Sequence, residues 1–307
     1  MKRTRAALLG AALVSVLAVA ACGSSSGGSP LSSAGGSKAP SDSIVVGSAN
    51  FPENVLLADI YADALSAKGV KVSTKLNIGS RETYIPALKD GSIDLIPEYS
   101  GVLLQYFQPS ATQVTSDDVF TALQSAVPAP LTVLNQSAAE DKDAVVVTKA
   151  TADKYHLTSI ADLAPVAGKM TYGGPPELKT RPTGLPGLKD KYGVVFKKFL
   201  ALDAGGPLTI QALKSGRIQG GDVFTTDPNI AANGWVILQD PKNLFAAQNV
   251  LPLINKAKAT PTVTAALNGV SAKLDTPTLG GLVTKVVLDK QDPDTVAKAW
   301  LASVGLS

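Results

Sequence analysis

The feature that most narrows the fold is an alternation of short apolar strands with amphipathic helices that begins at residue 44. Ile44 to Ser48 is a short apolar run ending in small residues. Pro52 and Glu53 then open a helix whose Leu56, Leu57, Ile60 and Leu65 share one face, and Gly69 ends it. Residues 70–76 alternate as a half-buried strand. Glu82 to Lys89 repeats the helical spacing with Ile85 and Leu88 turned inward, and residues 93–96 form a third strand. A β-α-β-α-β order predicts parallel strands with same-handed crossovers, which is a doubly wound α/β sheet. Such sheets bind ligands beyond the carboxyl ends of their strands. Three segments fall there: Ser48-Ala49-Asn50, Gly79-Ser80-Arg81 and the run Pro97 to Gly101. Topology alone therefore predicts one site where these loops converge.

The rest of the chain supplies a second unit of the same kind. A helix is expected over 116–126 and a strand over 131–134. Asp143 to Val147 (DAVVV) then crosses into a second lobe. There a short helix (160–163), a strand (169–172), a packed element (192–202), a helix (210–215) and a strand (218–224) follow. That strand ends at Thr225-Thr226-Asp227, and another is expected over 235–238. Residues 250–254 cross back, and helices over 259–268, 271–274, 278–288 and 294–304 close the chain. The expected organisation is lobe I from 44–140 plus 250–307, lobe II from 141–249, and a two-crossing hinge suited to closing around a small ligand.

Before the folded part, Lys2, Arg3 and Arg5 precede an apolar run from Ala6 to Val19 and the sequence Val19-Ala20-Ala21-Cys22-Gly23. This reads as a signal peptide over residues 1–21, too short for a comfortable membrane span of about 20 apolar residues. A cysteine directly after small residues resembles the bacterial lipobox, which implies cleavage before Cys22 and lipid on its sulfur. Lipid on Cys22 would tether the chain to the membrane at the extracytoplasmic face of the cell envelope. Residues 22–43, rich in Gly and Ser, read as a flexible linker.

The inventory excludes much chemistry. Without the three basic residues of the signal peptide, Lys+Arg and Asp+Glu balance at 25 each, so no basic excess argues for nucleic acid. The only cysteine is Cys22 and the only histidine is His156, read as a solvated residue leading into a helix. A multi-histidine metal site or a nucleophile–histidine pair has one candidate at most. No Walker A loop and no strand-linked GxGxxG occurs. No metal, no cofactor and no catalytic residues are expected.

Several ordered segments then resemble one family. VGSANFPENVLLADIYADAL, LNIGSRETYIPALKDGSIDLIPEYSG, GPPELKTRPTGLPGLKDKYG and DVFTTDPNIAANGWVILQDPKNLF are similar to the substrate-binding lipoproteins of osmoprotectant ABC importers, the ProX and OpuC type. The resemblance spans residues 44–255. It implies the class II periplasmic-binding-protein fold, a monomer that meets an ABC permease and its ATPase, and glycine betaine, choline or carnitine as solute. It also implies an aromatic cage for the quaternary ammonium and an arginine for a ligand carboxylate. Tyr99 matches the cage tyrosine, and Phe224 stands where tyrosine is common. Asp143 and Gln248 fall where further cage tyrosines are expected, and Arg181 matches the carboxylate-binding arginine. Asn50, Ser80 and Thr226 join them as polar ligand-binding candidates from the loop ends. The cage so read is incomplete, which leaves open a different polar, hydroxylated or aromatic solute. Tyr84, Tyr106 and Phe107 read as packing residues, and Asp141 to Asp143 as a solvated loop near the cleft.

Two other classes stay in view. A lyase or dehydratase on this fold needs an acid and a base in the cleft, for which Glu98 and Asp143 are the plausible carboxylates. A surface scaffold lipoprotein would need no small ligand, and a cleft lined by Arg181 and Tyr99 argues against it.

Overall fold

A computed structural model describes residues Ser43–Ser307. The predicted signal peptide, Cys22 and nearly all of the linker lie outside the described residues. Ser43, assigned to the linker by composition, already belongs to the first strand.

The first sheet begins as the sequence pattern predicts. β1 (Ser43–Gly47), α1 (Pro52–Ser66), β2 (Lys71–Lys75), α2 (Arg81–Asp90) and β3 (Leu95–Tyr99) form parallel pairs of β1 with β2 and with β3. α3 (Ser100–Phe107), α4 (Ser116–Ala126) and β4 (Leu131–Val133) follow. The second sheet holds β5 (Asp143–Val147), β6 (Thr171–Gly174), β7 (Lys198–Ala201), β8 (Gly220–Phe224) and β9 (Val236–Ile237). α5 (Lys149–Tyr155), α6 (Leu185–Tyr192), α7 (Pro207–Lys214) and the short α8 (Asn229–Ala232) connect its strands. β10 (Val250–Asn255) returns to the first sheet, and α9 (Pro261–Ser271), α10 (Thr276–Val287) and α11 (Pro293–Ser303) complete the chain. The strand orders are β2-β1-β3-β10-β4 and β7-β6-β8-β5-β9.

Neither sheet is wholly parallel, which corrects the simple doubly wound expectation. β10 runs antiparallel to β3 and β4, and β5 antiparallel to β8 and β9. The reversed strand in each sheet is the one by which the chain arrives from the other lobe. Val250 pairs with Tyr99 and Asp143 pairs with Phe224, so both arriving strands start at the ligand-facing ends of β3 and β8 and run away from them. The two crossings are themselves bridged, Glu140 to Asn249, with Val250 N–H donating to Ala139 O at 3.0 Å.

Each sheet carries apolar packing on both faces. α1 is buried nearly all round because it lies between the first sheet and the helices α9, α10 and α11. Leu56, Leu57, Ile60 and Leu65 are all fully buried there, each contributing roughly 1.5–3 kcal/mol on leaving water. α2, α3 and α4 cover the opposite face. In the second lobe, α5 and α6 pack on one face of the sheet with Tyr172, while α7 and α8 pack on the other. Caps fix the helix starts: Thr115, Thr260, Asp275 and Asp292 each accept from a backbone N–H three residues on.

Other departures have local causes. β2 is a largely exposed edge strand rather than half-buried. β3 continues through Pro97 and Glu98 to Tyr99, since Pro97 faces Pro252 and neither proline is asked for a ladder hydrogen bond by the other. α3 went unpredicted because Ser-Gly opens it. Gly101 is required there, as a Cβ would stand 2.4 Å from Ala247 O of the return crossing. α5 was missed too: His156, exposed as expected, ends this helix in a left-handed conformation (φ 54°) rather than leading into one. Residues 271–274 make no separate helix.

One buried carboxyl sets a pH dependence. Asp59 on α1 has its pKa raised to about 6, by burial first and then by Asp294, Asp63 and Asp292. The native state therefore holds this proton more tightly than the unfolded chain. The stabilisation is present below pH about 4 and is lost as pH rises to about 6. Asp59→Asn is expected to stabilise the protein by about 1 kcal/mol at pH 7, after allowing for solvent screening, and to be neutral at pH 4. Thermal melts of both proteins at the two pH values check this.

Candidate functional site

A cavity of about 320 Å³ lies between the two sheets, at the carboxyl ends of β3 and β8. All three loops predicted to converge do so: Ala49 and Asn50, Gly79 to Arg81, and Tyr99 line it. The second lobe contributes Asp143, Pro175, Pro176, Arg181, Asp222 and Phe224, and Gln248 and Asp141 enter from the crossings.

Its aromatic wall has three rings. Phe51 follows β1 as the residue before α1, Tyr99 ends β3, and Phe224 ends β8. Phe51 lies 4.8 Å from Phe224 and 6.1 Å from Tyr99, centroid to centroid, tilted by 38° and 32°. Phe51 and Phe224 come from different sheets and meet across the cleft. Tyr99 is 5% exposed, and its hydroxyl donates to Glu53 Oε1 at 2.8 Å, so its ring is held from behind. Tyr84, expected to be packing only, also lines the cavity, whereas Tyr106 and Phe107 stack edge-on with each other (5.4 Å) outside its lining.

Two arginines stand on the wall, each held by a carboxylate. Arg81, at the start of α2, forks onto Glu98: Nε donates to Oε1 at 3.0 Å and Nη2 to Oε2 at 2.7 Å. Glu98 is completely buried and also accepts from the Tyr84 hydroxyl (2.6 Å) and the Tyr99 N–H (3.0 Å). Burial works against the charge on Arg81, and Glu98 more than restores it, so its pKa is raised. Arg181 reaches from the second lobe to Glu82 on α2, Nη2 to Oε2 at 3.0 Å, an ion pair across the cleft. Burial pushes the Glu82 carboxyl up, but hydrogen bonds from Arg181 and Ser80 outweigh it and hold the pKa down to about 2. The Ser80 hydroxyl is committed to that carboxylate at 2.6 Å. Asn50 sits exposed at the cavity rim.

Several acids also line the cavity, among apolar residues such as Val102, Pro175, Pro176, Leu202 and Leu208. Asp143 accepts from Gln248 Nε2 at 3.2 Å through Oδ2. Asp222, on β8 two residues before Phe224, is 2% exposed and its carboxylate has no hydrogen bond or ion pair among the described residues. Burial, then the charge of Asp143, push its pKa well up. Asp141 is 1% exposed, not solvated as expected. Its Oδ1 accepts from the Thr226 N–H (3.0 Å) and the Thr225 hydroxyl (3.1 Å), while its buried Oδ2 has no partner among the described residues. Burial and the neighbouring Glu53 push its pKa well up. Glu53 is raised by burial, against hydrogen bonds from Thr226 and Tyr99 that lower it.

Of the residues predicted from sequence, Tyr99, Phe224, Arg181, Asp143, Gln248, Asn50 and Ser80 line the cavity, and Thr226 does not. The Thr226 hydroxyl turns away to Glu53 Oε2 at 2.5 Å, which ties the second lobe to α1 behind the rings. The two carboxylates suggested for acid–base chemistry do not form a free pair, because Glu98 is consumed by Arg81. Sequence reasoning missed Phe51 and Asp222, and placed Arg81 in a converging loop and Asp141 near the cleft without naming either as a ligand contact. Phe51 directly follows Asn50 at the first strand end, and Asp222 is the one acid in an otherwise small and apolar strand; both were readable signals.

Comparison with known proteins gives a consistent family. Residues 42–303 match the OpuAC family, described as the substrate binding domain of the ABC-type glycine betaine transport system. The chain is 25% identical over 277 residues to a glycine-betaine-binding protein of Pseudomonas aeruginosa, covering 86% of this chain and 88% of that one. It is 25% identical over 268 residues to the ergothioneine transport permease/ergothioneine binding protein EgtU of Helicobacter pylori, covering 86% of this chain and 48% of that one. The fold superposes on a solved structure of a glycine betaine/carnitine/choline ABC transporter with a TM-score of 0.67 at 21% identity, over 86% of this chain and 99% of that one. With a family match that runs through both lobes, the chain belongs to the OpuAC substrate-binding domains of ABC-type glycine betaine transport systems.

Proposed function

We propose that this protein is the extracytoplasmic solute-binding subunit of an ABC importer for quaternary-ammonium solutes of the glycine betaine and choline class, and that it is not an enzyme. The observation that carries this is the trio Phe51, Tyr99 and Phe224 on the wall of a cavity that Asp141, Asp143 and Asp222 also line. A quaternary ammonium offers no strong hydrogen-bond donor, so ring faces attract it through their quadrupoles, at about 2 kcal/mol or more per ring when dry. Asp143, at one of the two positions left without a ring, puts a carboxylate beside the cation. The solute would enter between the lobes and be handed to a permease driven by its ATPase. A relative whose name joins a transport permease to a binding protein supports that partnership. Lipid on Cys22, outside the described residues, would hold the protein at the membrane, and mass spectrometry of the N-terminal peptide reads it directly. Calorimetric titration with choline, glycine betaine and carnitine tests the reading of the site: saturable binding of at least one supports it, and no heat from any of them overturns it.

A further inference from the structure

The carboxylates on the second lobe require something that aromatic rings do not explain. Asp222 is 2% exposed, lines the cavity, and makes no hydrogen bond or ion pair with any described residue. Burying a carboxylate without a partner costs several kcal/mol or drives it toward its neutral form, and a place on a cavity wall leaves it open to a ligand that completes it. Asp143 stands on the neighbouring strand, paired with Phe224, which puts it diagonal to Asp222 on one face of the sheet. At about 7–8 Å across that diagonal, the two carboxylates flank one small group. Gln248 occupies Asp143 Oδ2 and leaves Oδ1 without a partner among the described residues. Neither neighbouring cation is bonded to them, because Arg81 is forked on Glu98 and Arg181 is paired with Glu82, and Arg181 acts on Asp222 through its charge alone.

A trimethylammonium group cannot satisfy these oxygens by hydrogen bonding, since it has no N–H. We propose that Asp222 and Asp143 form a donor-reading subsite, and that the solute is an organic cation carrying an O–H or N–H group beside the part held by Phe51, Tyr99 and Phe224. This rests on the quaternary-ammonium reading of the rings and sharpens it: the rings take the alkylated cation, and the acidic strands of the second lobe select the hydroxylated or N–H-bearing members of the class. Phe224 and Asp222 lie two residues apart on the same strand face, so one strand presents both halves of the recognition.

The test compares choline with n-propyltrimethylammonium, which has methyl in place of the hydroxyl at nearly the same size. Both are titrated calorimetrically into the full chain. The bound cation favours the ionised form of Asp222 that burial disfavours in the empty site, and a hydrogen bond to that charged acceptor predicts choline tighter by about ten- to a hundredfold, although the analogue is the more apolar. Asp222→Asn and Asp222→Leu should shrink that ratio to below about threefold, the ratio being read rather than either affinity because lost charge weakens both cations alike, with unchanged thermal unfolding as the control for an intact fold. Equal affinities in the wild type overturn the subsite and leave the ring reading standing. So does a ratio unchanged in both Asp222 variants and in Asp143→Asn. No binding of either cation overturns the subsite, and overturns the ring reading with it only where glycine betaine and carnitine also give no heat.

Discussion

Replacing Phe51 and Phe224 together by alanine is expected to weaken choline binding by about a thousandfold, from two desolvated cation–π contacts of about 2 kcal/mol each. The two rings come from different lobes and touch at 4.8 Å, so each also completes the other's surface. Each single variant should therefore lose more than half of the total, so that the two losses sum to more than the double variant's and the pair is non-additive. Phe51→Tyr and Phe224→Tyr keep a ring face and should stay within about threefold of the wild type. Thermal stability is the control, since Phe51 and Phe224 are only partly buried and neither is among the fully buried core side chains. A double variant that binds choline within tenfold of the wild type would show that these rings are not the cation's seat.

Phe51 illustrates what the sequence made legible and what it did not. The converging loops followed from strand order alone, because helices that start after parallel strands bring their first turns to one edge. Phe51 sits in the first of those loops, yet no periodicity distinguishes a ring that faces a cavity from one that faces a core. The resemblance directed attention to positions 143 and 248, where rings were expected and acids or amides stand. The ring that compensates is supplied elsewhere, by Phe51. Thr226 shows the opposite case: a polar residue at a strand end is a reasonable ligand contact, but here a buried Glu53 takes its hydroxyl. Burial of Glu53 itself follows from α1 being covered on all sides, which a helix pattern with acidic residues in its first turn does not announce.

The strand directions carry a similar lesson. A β-α-β-α-β start correctly predicts the parallel pairing of β1, β2 and β3. It is silent on β5 and β10, whose direction depends on where the crossings enter each sheet. Because both crossings run side by side and arrive at the cleft, each new strand must run away from it, against its neighbour. The same geometry brings Asp141, Asp143 and Gln248 to the cavity.

Breaking the Arg81–Glu98 pair is expected to have the largest effect on stability. Glu98 is completely buried, and the Arg81 side chain is 11% exposed, so neither charge has water to fall back on. Arg81→Met leaves Glu98 with only the Tyr84 hydroxyl and the Tyr99 N–H, and Glu98→Gln strands the guanidinium beside the cavity. Removal of one partner of a buried ion pair costs roughly 3–5 kcal/mol, mostly through the charge left behind. The double variant Arg81→Met/Glu98→Gln removes both charges while keeping an acceptor for Tyr84, and should recover most of that loss. Chemical denaturation of the four proteins gives the coupling energy. Because Glu98 also fixes the Tyr99 N–H at the end of β3, each single variant should weaken choline binding as well, and the double should regain part of it. Single variants that unfold within 1 kcal/mol of the wild type would mean that water reaches the stranded charge, and that the pair organises the cavity wall without stabilising the fold.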